Sequence, residues 1–539
     1  MTIAAGAIDT DSARSKTRGG RARAASPPLL LVAAALVGVV LVLSPIVYTV
    51  IQATGVSARG AVELLVRPLV GRLLLNTVAL IVAASVTTAV IGAAAAWLVE
   101  RTDLPGRKVW GVLAVAPLAI PPFISSFAWV SLSNGLQDFG GALLVVTCAY
   151  YPLVYLPVAA ALRGLDPSLE ETARSLGQSS WGCFFRVVLP QLRPALYGGI
   201  LLVALNALNE YGAFALLRFQ TFTTALFDQF RAGFDGPELS LLAVVLLLLC
   251  IACLIGEMKV RGRRRYARVG AGTRRKLRLA PLGRARWPVL IGFFVLTLLT
   301  VGTPVAMVGF WLTQHASAAT SRAAPSLPRL IDATMSSVGY GLAGAAAAVL
   351  LAAPLGYLAT RYPSRWTVLL ERIAYLAQGV PGVVIALAFI SLALDVTWIR
   401  SLYQSTMLLV VAYAILFLPF ALVSVRAAMA QVPRGLEDAA RSLGLGWFSV
   451  ARRVLAPLTA PGLGAGATIV FVFVSRELTA TLLLAPLGTR TLATQVWANT
   501  CSMAFAAAAP FEAGILVLSL LCAWLLASRS GAAAFEGRQ

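Results

Sequence analysis

The chain has few charged residues and almost no histidine. Charged residues make up 12% of its 539 residues, hydrophobic residues make up 59%, and His315 is the single histidine. A metal site built from several histidines is therefore excluded. The mean hydropathy of +0.83 lies far above that of ordinary globular domains. This composition predicts an integral membrane protein.

Two other features are missing. The sequence contains no G-x-x-x-x-G-K-[ST] phosphate loop and no Gly-Lys pair at all, so the chain is not expected to hydrolyse ATP itself. The six cysteines are scattered in or beside apolar runs, which is typical of buried and inert thiols. We expect no catalytic residues and no cofactor, and the sequence establishes no metal site.

Long apolar runs dominate what is present. A membrane-spanning helix needs about 20 mainly apolar residues. Twelve such stretches, six in each half, lie near residues 29–53, 73–99, 109–133, 141–163, 195–217, 239–256, 287–312, 335–360, 369–394, 405–428, 462–486 and 511–527. The sequence therefore predicts an all-α integral membrane protein with about twelve transmembrane helices in two homologous six-helix halves.

Basic residues separate the halves. The segment 258–286 carries twelve Lys or Arg and no acidic residue, which places it in the cytoplasm by the positive-inside rule. An even number of spans on each side then puts both termini in the cytoplasm. The predicted organisation is a tail (1–28), a first module (29–257), the linker (258–286), a second module (287–527) and a tail (528–539). The net charge of +22 lies mainly beside spans, which favours anionic lipid over nucleic acid as its partner.

The two halves repeat one another. Residues 169–177 return at 436–444 with two of nine positions changed, and the same offset pairs Pro152 with Pro419 and Glu210 with Glu477. Because six spans separate the copies, the halves should have the same orientation, as in transporters built from parallel repeats. The first span of each half precedes the matching region, so we expect a peripheral helix beside a five-helix core.

The repeated motif predicts a short helix on the cytoplasmic face. In the first copy, Ser168 and Glu171 have the spacing of a capping box, and Gly177 provides a stop. About eight residues give a helix roughly 12 Å long, too short to cross a membrane. In the second copy, Gly435 is the expected cap and Gly444 the stop.

The motif resembles the cytoplasmic signature of the permease subunits of ATP-binding-cassette importers, which is Glu-Ala-Ala, three residues, Gly, nine residues and Ile-x-Leu-Pro. The first copy reads Glu-Thr-Ala at 171–173, Gly177, and Val-Val-Leu-Pro at 187–190. The second reads Asp-Ala-Ala at 438–440, Gly444, and Val-Leu-Ala-Pro at 454–457. The resemblance covers nearly all of residues 73–527 and implies the fold of a type I importer permease.

In that family the motif is a coupling helix that docks into a groove of the ATPase. The resemblance implies two copies of a separate ATPase subunit, one for each motif. The candidate coupling residues are Glu170, Glu171, Ala173, Gly177, Pro190, Glu437, Asp438, Ala440, Gly444 and Pro457. An anionic membrane surface would repel the acidic residues, so a protein partner with a basic group suits them better.

A buried acid follows each motif, in the fifth core span. Ionisable residues at this depth usually face a cavity or a partner. The candidate pathway residues are Glu210, Tyr211 and Glu477, and a structural hydrogen bond between helices is the alternative for the two acids. Arg476 would point about 100° away from Glu477 on a helix, so it need not neutralise that acid. Prolines at 117, 121, 122 and 381 interrupt matching helices, either as a translocation route or as ordinary kinks.

Three segments resemble the permeases that carry ferric iron. They are residues 219–225 and 488–494, which look like that group's outer loops, and residues 381–388. The resemblance implies Fe(III) received from an extracytoplasmic binding protein, and a hard trivalent cation prefers carboxylate and phenolate oxygens. Permeases for thiamine, sulfate, polyamines and phosphonates share the fused two-module layout and are alternatives.

A transporter driven by an ion gradient is the alternative from another class, since twelve spans in two halves also describe that group. An ATPase that co-purifies with the chain and is stimulated by it would exclude this alternative. A membrane scaffold without transport is disfavoured by the repeated intramembrane acids.

Overall fold

The computed structural model describes residues 27–233, 236–262, 279–314 and 326–536, and most of them are helical. Most of the predicted N-terminal tail, residues 263–278 of the basic linker, His315 and the last three residues lie outside the described residues.

The described residues of the first half form twelve α-helices. They are α1 (Leu29–Ala53), α2 (Ala58–Leu65), α3 (Pro68–Arg101), α4 (Arg107–Leu113), α5 (Pro122–Leu132), α6 (Phe139–Gly164), α7 (Pro167–Ser175), α8 (Ser180–Cys183), α9 (Leu189–Asn209), α10 (Gly212–Leu216), α11 (Phe222–Arg231) and α12 (Pro237–Gly262).

The described residues of the second half form twelve more. They are α13 (Arg286–Thr297), α14 (Thr303–Thr313), α15 (Leu327–Arg361), α16 (Arg365–Leu376), α17 (Gly382–Asp395), α18 (Thr406–Gln431), α19 (Arg434–Ser442), α20 (Trp447–Val450), α21 (Ala456–Ser475), α22 (Thr479–Leu484), α23 (Leu492–Cys501) and α24 (Phe505–Glu536). Helices α3 to α12 correspond in order to α15 to α24.

The count of spans agrees with the sequence. The described residues contain ten helical segments long and apolar enough to cross a membrane, or twelve with two bent pairs. Each bent pair joins a helix to the next across a proline: α4 with α5, bent by 90°, and α16 with α17, bent by 102°. The predicted spans 109–133 and 369–394 are therefore broken helices, because proline removes a backbone donor and clashes with the preceding turn.

The longest helix of each half lies at the centre of its bundle. Helix α3 packs on α6 and α9, and α15 packs on α18 and α21. Small residues face these neighbours, among them Ala84, Ala96, Ala345 and Ala352, which are all buried. Small side chains let helix backbones approach closely, which is how helices associate within a membrane.

The first span of each half packs against the opposite half. Helix α1 contacts α15, α16 and α17, whereas α14 contacts α5. Both are peripheral, as predicted, but each crosses to the other bundle and so joins the two. A hydrogen-bonded cluster at the end of α1 strengthens this contact, where Gln52 Nε2 donates to Asp395 Oδ2 of α17 at 2.6 Å.

The end of the basic linker is attached to the first half. Ala280 N donates to Arg101 O at 2.8 Å, and Leu282 N donates to Asp103 Oδ1 at 2.7 Å. The last helix, α24, extends to Glu536 and so passes residue 528, where the C-terminal tail was predicted to begin.

Candidate transport pathway and motif helices

The repeated motif forms two short helices, α7 and α19, called the motif helices below. Each has nine residues, close to the predicted eight. The predicted caps are wrong. Asp166, not Ser168, precedes α7 and accepts a hydrogen bond from Ser168 N at 3.0 Å. Gly435 lies within α19, which begins after Pro433 without a side-chain cap. In both copies a proline adjoins the first turn, where its missing N–H is not needed.

Both motif helices end as predicted at a glycine in the left-handed region. Gly177 and Gly444 each have φ of +82°. Gln178 N donates to Ala173 O at 3.1 Å, and Leu445 N donates to Ala440 O at 3.2 Å. This is the hydrogen bond of a Schellman motif, which requires a residue that tolerates positive φ. The two glycines therefore fix the direction in which the chain leaves each motif helix.

One acid of each motif helix is paired within the chain. Arg101 Nη1 lies 2.9 Å from Glu170 Oε1, and Arg361 Nε lies 2.6 Å from Glu437 Oε1. The two arginines are the last residues of α3 and α15. Glu170 and Glu437 thus attach each motif helix to the central helix of its own bundle. Both acids thus already have a basic partner within the chain, and their contact with another protein stays a prediction.

The two attachments are unequal. Glu437 is buried, its Oε2 accepts a hydrogen bond from Tyr357 Oη at 3.1 Å, and Arg441 lies 4.0 Å away. In the first half Trp97 stands at the position of Tyr357, and Glu170 lines a cavity of about 580 Å³. Among the described residues, the Glu437 carboxylate therefore has polar partners beyond its paired arginine, in Tyr357 and Arg441.

The remaining motif residues divide between surface and interior. Glu171 and Asp438 are exposed, whereas Ala173 and Ala440 are buried beneath their helices.

The motif prolines, Pro190 and Pro457, are the second residues of α9 and α21, and each follows a five-residue π-helical turn. Proline cannot donate to the carbonyl four residues before it. The hydrogen-bond ladder is therefore interrupted at the same point in each half, where π-turns commonly appear.

The intramembrane acids lie at the ends of helices. The predicted spans 195–217 and 462–486 are too long at their C-terminal ends, because α9 ends at Asn209 and α21 ends at Ser475. Glu210 Oε1 accepts a hydrogen bond from Ala213 N at 2.9 Å, and Glu477 Oε1 accepts one from Ala480 N at 3.1 Å. Each acid thus caps the short helix that follows it, α10 or α22.

Both acids lie far from the motif helices. Helix α3 runs about 36 Å from Arg101 to Thr77, which exceeds the roughly 30 Å hydrocarbon core of a membrane. Thr77 Oγ1 accepts a hydrogen bond from Phe222 N at 3.2 Å, and nearby Thr223 Oγ1 donates to Glu210 O at 2.8 Å. Glu210 therefore lies toward the end of α3 that is opposite the motif helix.

In the second half the contact between the central helix and the outer loop recurs, whereas the carbonyl of the acid is bound from within α22. Ser337 Oγ accepts a hydrogen bond from Leu492 N at 2.8 Å, and Thr481 Oγ1 donates to Glu477 O at 2.6 Å. Thr221 and Thr491 form capping boxes at the starts of α11 and α23. The two outer-loop segments singled out in the sequence thus position these helices.

The acids of the two halves meet in one cluster. Tyr150 Oη donates to Glu210 Oε2 at 3.0 Å. Arg476 and the two carboxylates lie close enough for their charges to influence one another, but no Arg476 nitrogen is within 4.0 Å of a Glu210 or Glu477 oxygen. Arg476 Nη1 donates to Leu118 O of the first half at 2.7 Å. We call Tyr150, Glu210, Arg476 and Glu477 the gate cluster.

The bent helices contribute to this region. Leu118 lies in the 3₁₀ turn before the bend between α4 and α5. A Cβ atom built on Gly382, the first residue of α17, would lie 3.4 Å from Glu477 Oε1. Both proline-induced breaks are thus beside the gate cluster, and not at unrelated kinks.

Two sequence expectations differ from this geometry. Tyr211 is buried between Phe227 and Trp497, at ring-centroid distances of 4.2 and 5.3 Å, and does not join the carboxylates. Arg476 follows the end of α21, so its predicted separation from Glu477 around a helix does not hold. Tyr150 was not predicted, since no motif or repeat position distinguishes it.

The halves are in close contact beside the gate cluster. A Cβ atom on Gly212 would lie 2.7 Å from Leu478 Cδ2 of the second half and 3.1 Å from Phe123 Cβ. Arg476 and Tyr211 also contact the half opposite their own. The two halves are therefore packed directly against one another at Gly212.

Comparison with known proteins identifies the family of this chain. The model of the binding-protein-dependent transport system inner membrane component matches the chain twice, at residues 92–264 and 352–529. The chain belongs to this family. Its two matched regions confirm the two-module permease predicted from the repeated motif, and they identify the chain as a multi-pass inner membrane protein.

Individual relatives of this permease differ in what they carry. It is 36% identical to the Fe(3+)-transport system permease protein FbpB 2 of Haemophilus influenzae over 89% of its own length and 94% of the relative. It is 30% identical to the sulfate transport system permease protein CysT of Escherichia coli, over 30% of this chain and 66% of the relative. The molybdenum transport system permease protein ModB of Escherichia coli is also 30% identical, over 22% of this chain and 58% of the relative.

Proposed function

We propose that this permease imports ferric iron, which it accepts from an extracytoplasmic binding protein and passes to the cytoplasm. The observation that carries the proposal is the gate cluster, which presents two carboxylates and one phenol against a single guanidinium. These oxygen donors suit a hard trivalent cation. The similarity to an iron permease over almost the whole chain supports the same cargo.

The charge of the cluster argues against anionic cargo. Sulfate and molybdate would meet two carboxylates at the contact between the halves, where like charges repel strongly because water is scarce. The sulfate and molybdenum relatives match only about a third of the chain or less. We therefore place ferric iron before sulfate, and before thiamine, polyamines or phosphonates.

We further propose that two copies of an ATPase subunit dock on the motif helices from the cytoplasm. The exposed Leu176 and Leu443 precede the stop glycines and have relative exposures of 77% and 82%. Large exposed apolar side chains on a polar face mark protein contacts. Both termini and the basic linker then lie in the cytoplasm, and the gate cluster lies toward the binding protein. Family membership favours this ATP-driven cycle over a gradient-driven one.

The cargo is tested by uptake of radiolabelled Fe(III) into iron-limited cells that lack the chain and carry a plasmid copy. Glu210→Gln and Glu477→Gln remove charge but retain the oxygen that caps α10 or α22, so the fold is retained. We expect each to reduce iron uptake about tenfold and the double variant to abolish it. Glu63→Gln, which alters an exposed pair with Arg59, is the matched control.

Sulfate and thiamine uptake are measured in the same cells. Iron uptake that does not depend on the chain, together with loss of one of the other two, would reject the ferric assignment. The ATPase is tested separately: a nucleotide-binding subunit should co-purify with the wild-type chain and be lost after deletion of both motif helices.

A further inference from the structure

Arg476 is the guanidinium at the contact between the two halves. It comes from the second half, immediately before Glu477, and donates to the Leu118 carbonyl of the first half at 2.7 Å. Its guanidinium carbon also lies 4.4 Å from the ring centre of Phe473. The side chain is half-buried, and it places a positive charge beside the carboxylates of the gate cluster without forming an ion pair within 4.0 Å to either of them.

We propose that Arg476 is a lock that closes the pathway beside the two gate carboxylates through its hydrogen bond to the Leu118 carbonyl, until the halves separate and a multivalent cation can bind there. The inference rests on the proposed function, because it assigns a closing element to the site that would accept the ion. Arg476 is a positioning residue in this scheme: it determines when Glu210 and Glu477 are available.

The partner of Arg476 lacks the usual backbone donors. In a helix the Leu118 carbonyl would accept from the N–H three or four residues later, but these residues are Pro121 and Pro122, which have no N–H. A carbonyl without a donor is costly inside a membrane. Arg476 supplies the donor from the opposite half, so the contact ties the broken helix of one bundle to the gate of the other.

The contact between Arg476 and the double proline has no counterpart at the equivalent positions of the repeat. At the offset that pairs Glu210 with Glu477, the counterpart of Arg476 is Asn209, which has no charge. The bend of the second half also differs, since Pro381 is followed by Gly382 and not by a second proline. The arginine and the double proline therefore occur as a pair, in opposite halves, at the position where they meet.

Competition follows from charge. Arginine does not lose its proton in proteins, so Arg476 remains positively charged beside the carboxylates. A trivalent cation and a guanidinium repel one another at contact distance. When the halves separate, the Leu118 contact is broken and Arg476 withdraws, and both carboxylates can then bind the ion. After the ion has left, Arg476 can return and close the gate.

The inference is tested in proteoliposomes of the purified permease, without binding protein or ATP. Dipicolinate is enclosed in the vesicles and Tb(III), a hard trivalent probe, is added outside, so that entry is seen as luminescence. We expect Arg476→Gln to raise Tb(III) entry at least tenfold over wild type. Arg476→Lys retains a charge and a donor and should remain within about threefold of wild type.

The matched control is Arg400→Gln. Arg400 also belongs to the second half and donates to a backbone carbonyl, that of Leu394, at 2.9 Å, but it is exposed and outside the gate cluster. It should leave Tb(III) entry unchanged. All variants are compared at equal amounts of monodisperse protein, which separates loss of closure from misfolding.

A second readout does not depend on the cargo. A single cysteine at Asn209, in a variant without the six native cysteines, is labelled from outside with a membrane-impermeant maleimide. This cysteine should be labelled at least fivefold faster in the Arg476→Gln variant than in the protein that retains Arg476. Faster labelling without Tb(III) entry would support the lock and reject the proposed cation cargo. Unchanged labelling of folded Arg476→Gln, or an Arg476→Lys variant as open as Arg476→Gln, would overturn the lock.

Discussion

The attachment of the second motif helix by Glu437 leads to a quantitative prediction. Arg361 and Glu437 are almost completely buried, with side-chain exposures of 8% and 5%, and their atoms approach to 2.6 Å. Changing Glu437 to Gln leaves a buried guanidinium without its counter-charge. Breaking a buried pair from one side costs about 3–5 kcal/mol. A helix of nine residues has little stability of its own, so we expect α19 to detach.

The equivalent change in the first half should have a smaller effect. Glu170 has a side-chain exposure of 17% and lines a cavity of about 580 Å³, so water can solvate Arg101 when the pair is broken. We expect Glu170→Gln to cost about 1–3 kcal/mol. A difference of about 1.4 kcal/mol between the variants corresponds to a tenfold difference in the population of detached helix.

Hydrogen exchange of the backbone amides of residues 434–442 and 167–175 measures this detachment directly. Glu437→Gln should raise exchange in α19 more than a hundredfold, while the exposed neighbour Asp438→Asn should leave it unchanged. Replacing both partners, as in Arg361→Met with Glu437→Gln, removes the unpaired charge and should restore much of the protection. Normal protection in Glu437→Gln, or single effects that simply add in the double variant, would refute the role of the pair.

Other predictions concern single backbone positions and caps. Gly177 and Gly444 have φ of +82°, and a Cβ atom at either position would meet nothing within 4 Å, so replacing both with Val should abolish transport through backbone strain without loss of membrane insertion. Asn tolerates this conformation, so replacing both with Asn should retain part of the transport activity. Equal uptake by the Val and Asn variants would contradict the backbone argument. Gly212→Leu should hold the halves apart beside the gate cluster and speed maleimide labelling of a cysteine at position 209. Gly198→Leu is the control, because nothing lies within 4 Å of a Cβ atom there, and it should leave the labelling rate unchanged. Ser337→Ala removes the acceptor for Leu492 N and should lower the unfolding free energy by about 1 kcal/mol, measured by thermal unfolding in detergent; an unchanged midpoint would show that this contact contributes nothing.

The sequence predicted the spans and motif helices well because their signals are local. Apolar runs of about 20 residues and a glycine after a short amphipathic segment have few alternative structures. Cap residues were less predictable: Asp166 and Ser168 both suit an N-cap, and only the position of the following proline decides between them. The ends of α9 and α21 were missed because the residues after Glu210 and Glu477 are as apolar as those before them.

The contacts of the charged residues could not be read from the sequence. Glu170 and Glu171 are adjacent acids of the same type, yet Glu170 pairs with Arg101 at 2.9 Å while Glu171 is exposed, because the direction of α7 relative to α3 turns one side inward. Tyr150 and Arg476 come from different halves of the chain, and nothing in either segment points to the other.

By itself, the sequence determined that this protein is a membrane permease made of two similar halves, because composition and repeats are properties of the linear sequence and do not depend on how the helices pack. Only the tertiary structure decided what the repeated acids do. It attached Glu170 and Glu437 to their own bundles and brought Glu210, Glu477 and Arg476 together at the contact between the halves. The physical reason is that charge interactions depend on distance in space and on the exclusion of water, and both are set by how the helices pack.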